Sequence, residues 1–201
     1  GLQLPAEAAP VGPPETAGSG PEPMRSGKQS STMTIALGSD HGGFATKEAV
    51  KRHLASKGIA FTDFGCFSEA ASDYPAFGEA VAAAVETGKT DRGVLVCTTG
   101  IGMSIAANRF PHVRAALCDT ADLARISRKH NDANVLVLGA TRQNPADVPA
   151  IVDAWLGADF PGEARHVRRV GGLGAAGNRV VEIAHLQDED PEIYRAIMEH
   201  K

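Results

Sequence analysis

A cysteine stands where an apolar run meets a glycine-containing loop. The run at 94–96 ends in Cys97, the loop holds Gly100 and Gly102, and helical spacing follows. A helix N-terminus presents unpaired N–H groups and a partial positive charge, and glycines let a loop aim several N–H groups at one anion. The loop could therefore bind a phosphate or an oxyanion, with Cys97 as a nucleophile or base whose pKa the helix terminus lowers. Cys97 could also be a small apolar residue that closes a strand.

An acid and an imidazole lie side by side after another apolar run. Asp40 and His41 follow the run at 34–38 and precede a segment with helical spacing. In a parallel sheet this position is the carboxyl end of a strand, where substrates bind. The pair could belong to a site, or Ser39 or Asp40 could cap the helix while His41 is solvated.

Two further features carry chemistry only if other parts of the chain approach them. His130 follows a helix predicted to end near Lys129 and precedes the apolar run at 135–138. It could be a positioned acid or a hydrogen-bonded connector, and alone it favours the connector. Arg165 and Arg169 belong to the only basic cluster and lie four residues apart, so they would share one side of a helix, as a phosphate clamp requires. Most such clusters are simply solvated.

The elements that would position these residues alternate along the chain. Apolar runs predict strands at 34–38, 59–64, 94–96, 113–118 and 135–138. Helical spacing and capping residues predict helices at 44–57 and 77–87, from 102 onward, from a cap at 119–122 to about 129, and from a cap at 144–147 to 156. Because crossovers between parallel strands are right-handed, this alternation predicts a parallel sheet with helices on both faces.

Composition limits the class of protein. The 201 residues are 43% hydrophobic and 22% charged, which suffices for one sizeable core, and the net charge of −4 argues against a nucleic-acid-binding surface. Cys66, Cys97 and Cys118 are odd in number and lack metal-ligand spacing, which fits a reducing cytoplasm. No apolar run reaches membrane-spanning length and no signal peptide opens the chain, so we expect a soluble cytoplasmic protein.

The two ends of the chain differ from its centre. Residues 1–32 contain half of the 12 prolines and no apolar periodicity, so we expect a disordered or tag-like tail. We expect the α/β domain at 33–160. Residues 161–201 should form its C-terminal phosphate-binding and helical arm, with short helices at 178–186 and 191–200.

Four motifs, taken together and in order, carry a family resemblance. They are GSDHGGF at 38–44, DYP at 73–75, CTTGIGMSIAAN at 97–108 and SRKHNDANVL at 127–136. This set closely resembles the type B ribose-5-phosphate isomerases, a family that includes galactose-6-phosphate isomerase subunits and other sugar-phosphate isomerases. The resemblance covers about residues 33–169 and is more specific for the family than for the substrate.

The resemblance implies both a fold and a reaction. The fold is a Rossmann-like (flavodoxin-like) three-layer α/β arrangement with a five-stranded parallel sheet and a C-terminal helical arm. The assembly is a homodimer with shared active sites, often paired into a tetramer. The reaction interconverts an aldose phosphate and its ketose through a cis-enediolate, without a metal or an organic cofactor.

The resemblance also implies residue roles. By position, Cys97 matches the family's base, which moves a proton between C1 and C2. The other matches are Thr99 and the N–H groups of Gly100, Ile101, Gly102 and Met103 for the enediolate, His130 and Asp40 for opening the furanose ring, Asn131 for the sugar, and His41, Arg165 and Arg169 for the phosphate. Arg114 falls where an arginine of the family can reach the site.

The substrate stays open at this level. The residue after the family's base is often Gly, whereas this chain has Thr98, and the arm from Gly171 is longer than in compact members. We expect a ribose 5-phosphate/ribulose 5-phosphate isomerase, with an isomerase for a tetrulose or hexose phosphate as the alternative. A third reading is a non-catalytic phosphate-binding module on the same fold. The presence of Cys97, Thr99 and His130, together with Arg165 and Arg169, argues against it.

Overall fold

The computed structural model describes residues 33–173. The tail predicted at 1–32 and the short helices predicted at 178–186 and 191–200 lie outside the described residues. None of the helices within 33–173 combines the length and the apolar character that crossing a bilayer would require.

Strands and helices alternate through the described residues, as the sequence predicts. The strands are β1 Thr34–Ser39, β2 Ala60–Asp63, β3 Arg92–Cys97, β4 Ala115–Leu117 and β5 Val135–Gly139. The helices are α1 Phe44–Ser56, α2 Tyr74–Glu86, α3 Ile101–Ala107, α4 Ala121–Asn131, α5 Val148–Leu156 and α6 Ala164–Leu173. Single 3₁₀ turns at His41–Gly43 and Pro145–Asp147 lead into α1 and α5.

The five strands form one parallel sheet in the order β2-β1-β3-β5-β4. One face packs against α1, α4 and α5 around the fully buried Trp155, and the other packs against α2 and α3 around Met103. The predicted three-layer, Rossmann-like fold with five parallel strands is therefore confirmed. The last two strands exchange places relative to the 2-1-3-4-5 order of flavodoxin, because β5 lies between β3 and β4.

Several boundaries differ from the prediction, three of them in elements that lead to candidate site residues. Helix α2 begins at Tyr74 rather than at 77, since Pro75 fits the first turn of a helix. Strand β4 covers 115–117 rather than 113–118. Helix α4 continues to Asn131 and ends at Asp132, whose φ of 46° is left-handed, so His130 lies within the last turn rather than after the helix.

Candidate active site

The Cys97 loop has the strand, tight turn and helix that the sequence predicts. Cys97 ends β3 and is 6% exposed. Gly100 has a left-handed φ of 78°, and a Cβ there would lie 2.4 Å from Leu117 Cδ1, so only glycine fits. Helix α3 begins at the next residue, and the backbone N–H groups of Thr99 and Gly100 donate to the Cys97 sulfur. The loop therefore aims N–H groups at the sulfur.

The pKa of the Cys97 thiol nevertheless lies above its ordinary value. Burial is the main cause, and the Asp40 carboxylate, which accepts from the thiol, raises the pKa further. The N–H groups of Gly100 and Thr99 lower the pKa without outweighing these effects. The expectation that the helix terminus leaves this thiol with a lowered pKa is therefore wrong, because the loop that supplies the N–H groups also excludes water. Burial also raises the pKa of Cys118, with a smaller contribution from Asp119, in the direction that its acidic surroundings predict.

Asp40 is brought to Cys97 because β1 and β3 are neighbours, with Ser39 paired to Val96. It is 5% exposed, and its Oδ1 accepts the Gly43 N–H at 2.9 Å, which confirms the predicted cap. Gly43 packs so closely on β3 that a Cβ would lie 2.5 Å from the Val96 carbonyl oxygen. The two loops therefore form one surface at the carboxyl edge of the sheet, the edge where the strands end.

Thr98 and Tyr74 complete this surface. Gly42 leaves room for the Thr98 hydroxyl, which would lie 2.0 Å from a Cβ at that position. The Tyr74 ring lies across Gly102 in the first turn of α3, 2.7 Å from where a Cβ would be, and is 39% exposed. Tyr74 lies in the DYP motif at 73–75 but is not among the predicted site residues. The signal that could have found it is its position directly before Pro75 at a helix start.

His130 and Asn131 lie near the opposite edge of the sheet, where the strands begin. They end α4, which leads into the start of β5. At the start of β5, Val135 pairs with Gly93, and at its end Gly139 pairs with Cys97. The start of β5 and Cys97 are therefore four residues, or about 13 Å, apart along the strands. One chain therefore does not bring His130 together with Cys97.

Arg114 is already engaged at this amino edge. Its Nε donates to the Asp132 carbonyl at 2.8 Å, and its Nη2 lies 2.8 Å from the Asp132 carboxylate. Arg128 binds the other carboxylate oxygen at 2.8 Å. A cavity of about 710 Å³ opens beside them. Its lining includes Arg109, Phe110, Arg114, Asn131 and Leu173.

Helix α6 places the basic cluster against the end of α4. Arg165 and Arg169 share this helix and are exposed, as the clamp predicts, and Arg165 pairs with Glu163 at 3.0 Å. Between them, His166 is 4% exposed and stacks on His130, with ring centroids 4.3 Å apart and planes 8° from parallel.

His166 was missed by sequence reasoning, which treated its segment as a source of arginines. Its Nε2 has no hydrogen-bond partner within residues 33–173, the Glu163 carboxylate being 3.8 Å away. Burial lowers the pKa of His166, and positive charge on His130 and Arg165 lowers it further. Within the same residues, no three His, Cys, Asp or Glu side chains converge as metal ligands would.

Comparison with known proteins identifies the family. The model of a family described as Ribose/Galactose Isomerase matches residues 35–173. This chain belongs to the ribose/galactose isomerase family. Helix α6, with its basic cluster, is thus part of the family domain.

Two relatives match this chain over nearly their whole length. Ribose-5-phosphate isomerase B of Escherichia coli (strain K12) is 43% identical over 145 residues, which cover 72% of this chain and 97% of that protein. D-erythrulose-4-phosphate isomerase of Pectobacterium atrosepticum is 37% identical over 142 residues, or 69% of this chain and 93% of that protein.

A solved structure of the family has the same fold. That of ribose-5-phosphate isomerase B from Clostridium thermocellum superposes with a TM-score of 0.69 at 47% identity, covering 71% of this chain and 95% of that one. With the family match and the relatives, this likeness shows that the chain is a sugar-phosphate isomerase.

Proposed function

We propose that this member of the ribose/galactose isomerase family interconverts ribose 5-phosphate and ribulose 5-phosphate through a cis-enediolate, with Cys97 as the base. The observation that carries the proposal is the buried Cys97 sulfur, which contacts the Asp40 carboxylate and the N–H groups of Thr99 and Gly100. A thiol in this setting has a proton acceptor beside it and donors that stabilise negative charge.

The proton steps follow from this arrangement. Asp40 accepts the thiol proton, and the resulting thiolate removes the proton from C2 of the open-chain aldose. Negative charge then develops on the two substrate oxygens, where N–H groups in the first turn of α3, which have no partner within the helix, stabilise it. The Cys97 thiol returns the proton to C1, a proton moves from the C2 hydroxyl to O1, and the ketose forms without change of oxidation state in the protein.

Ring opening and phosphate binding draw on groups at both edges of the sheet, with Asp40 and His41 beside Cys97 and the remaining groups at the amino edge. His130, Asn131, Arg165 and Arg169 are the family-matched residues there. We therefore propose a homodimer in which the amino edge of one subunit faces the Cys97 loop of its partner, so that each site is shared. Exposed apolar side chains support an interface at both places, Ile101 and Ile105 on α3 beside the loop and Leu173 beside the cavity.

A second candidate is an isomerase of a four-carbon sugar phosphate. Two observations favour it. A relative named D-erythrulose-4-phosphate isomerase is 37% identical, and Thr98 fills space over Gly42 between the two site loops. A smaller space in the site would favour a shorter sugar.

Steady-state isomerisation of four-, five- and six-carbon aldose phosphates, measured side by side, tests the proposal. We expect the highest kcat/KM for ribose 5-phosphate. A higher value for the four-carbon substrate would replace the proposed substrate with the second candidate. The variant Thr98→Gly tests whether the Thr98 side chain limits the space for substrate. If it does, this variant should raise kcat/KM most for the longer sugars.

A further inference from the structure

The imidazole of His41 is held by a single residue of another loop. The His41 backbone N–H donates to the Ser72 hydroxyl oxygen at 3.2 Å. The ring Nδ1 lies 3.2 Å from the Ser72 backbone nitrogen and 3.3 Å from the Ser72 carbonyl oxygen. His41 and Ser72 are 31 positions apart in the chain, and Nε2 of His41 takes no part in these contacts.

The Ser72 peptide offers Nδ1 two contacts of opposite proton direction, its N–H at 3.2 Å and its carbonyl oxygen at 3.3 Å. A neutral imidazole has one N–H donor and one acceptor nitrogen. The Ser72 N–H can only donate, so it pairs with a neutral ring whose Nδ1 is the acceptor and whose proton is on Nε2. When the ring is protonated, Nδ1–H donates to the Ser72 carbonyl instead. If the neutral ring uses the shorter N–H contact and the protonated ring uses the carbonyl contact, Nε2 carries a proton in both charge states.

The loop that carries Ser72 is fixed at its base. Ser39 N–H donates to the Gly65 carbonyl and Cys66 N–H to the Ser39 carbonyl, both at 2.6 Å. The Gly65 N–H donates to Asp63, whose carboxylate also pairs with the fully buried Lys47. Helix α2 begins two residues after Ser72. The loop is thus tied to β1 at one end and to a helix at the other, so it can hold a ring at a defined angle.

We propose that Ser72 is a positioning residue that keeps Nε2 of His41 protonated and directed at the substrate phosphate. Phosphate oxygens at neutral pH accept hydrogen bonds, so an Nε2–H group attracts them and an Nε2 lone pair repels them. The inference rests on the proposed function in one respect, the assignment of His41 to phosphate binding.

The experiment reads the protonation of the ring directly. Histidine labelled with ¹⁵N, assigned with His41→Gln, shows by NMR at alkaline pH which nitrogen of the neutral His41 ring carries the proton. Binding of inorganic phosphate is measured by calorimetry on the same samples. Ser72→Pro removes the N–H that donates to Nδ1 while keeping the carbonyl, and Ser72→Ala removes only the hydroxyl. Ser68→Ala is the matched control, because Ser68 lies in the same loop and its hydroxyl binds Ala70 rather than His41.

We expect the wild-type protein and Ser68→Ala to carry the proton on Nε2. Ser72→Pro should move it to Nδ1, where the remaining carbonyl accepts it, and should weaken phosphate binding about tenfold or more at alkaline pH. At acidic pH, where both ring nitrogens are protonated, this variant should bind phosphate as Ser72→Ala does, because both lack the Ser72 hydroxyl. Ser72→Ala should keep the tautomer and lose about two- to tenfold in phosphate affinity.

Two results would overturn the inference. One is a wild-type ring with its proton on Nδ1, which needs no variant to fold. The other is a Ser72→Pro protein with the shifted proton and unchanged phosphate affinity. Turnover of ribose 5-phosphate by the same wild-type sample decides the proposed function separately. An active isomerase with an Nδ1–H ring refutes only the role of Ser72.

Discussion

At the scale of single residues, Cys97 carries the proposed chemistry. Cys97→Ala should lower kcat by about 10²–10⁴-fold, the usual contribution of a general base, while binding of the sugar phosphate survives. The kcat of Cys97→Ser should be nearly as low, because a hydroxyl is a much weaker acid than a thiol. The measurement is turnover together with deuterium incorporation at C2 from heavy water. An Ala variant with near-normal exchange would place the base elsewhere.

The Asp40 carboxylate makes a second prediction about the same sulfur. Because Asp40 raises the pKa of Cys97, Asp40→Asn should lower that pKa while its amide oxygen still caps Gly43. The thiolate then forms at lower pH than in the wild type. The ultraviolet absorbance of the thiolate during a pH titration, corrected with the Cys97→Ala protein, measures the shift.

The matched control for this titration is Asp119→Asn. Asp119 raises the pKa of Cys118 and does not contribute to that of Cys97. This variant should leave the pKa of the Cys97 thiol unchanged. If Asp40→Asn also leaves this pKa unchanged, Asp40 does not raise the pKa of Cys97.

At the scale of elements, Asp132 determines how α4 presents His130 and Asn131. Its left-handed backbone ends the helix, and its carboxylate binds both Arg114 and Arg128. Asp132→Ala should lower the free energy of unfolding by about 2 kcal/mol, because it strains a side chain with φ above zero and leaves two guanidinium groups without a partner.

Asp132→Asn is the comparison variant for this helix end. Asn tolerates the left-handed conformation and keeps a hydrogen-bond acceptor, so Asp132→Asn should lower the free energy of unfolding less than Asp132→Ala does. Urea unfolding of both proteins measures the difference. Equal losses would show that backbone strain plays no part at this position.

At the scale of the whole molecule, shared sites predict complementation. Cys97→Ala and His130→Asn should each be inactive on ribose 5-phosphate. In a mixed dimer, one site receives both substitutions and the other receives neither. A refolded equimolar mixture should therefore regain about a quarter of wild-type activity, since half of the dimers are mixed and each has one intact site.

The outcome against sharing is equally clear. If each chain held a complete site, no mixture of the two variants would regain activity. Sedimentation of the mixture, run in parallel, confirms that dimers form, so an absence of activity cannot be attributed to monomers.

The strands, helices and site loops could be predicted from the sequence because they depend on local patterns. Apolar runs predicted all five strands, and the Cys97 loop, the Asp40 cap and the helix around Arg165 and Arg169 were found where expected. It missed His166 and the role of Ser72, since neither has a local signature. Their partners lie 36 and 31 residues away along the chain.

The alternation of strands and helices, read from the sequence alone, determined a parallel sheet with two covered faces, because right-handed crossovers leave few other arrangements. Only the tertiary structure decided that β5 enters between β3 and β4, that Cys97 is buried against Asp40, and that His130 lies near the opposite edge of the sheet. Strand order and burial depend on contacts between distant segments. The pKa of a thiol follows the water and charges that those contacts leave around it.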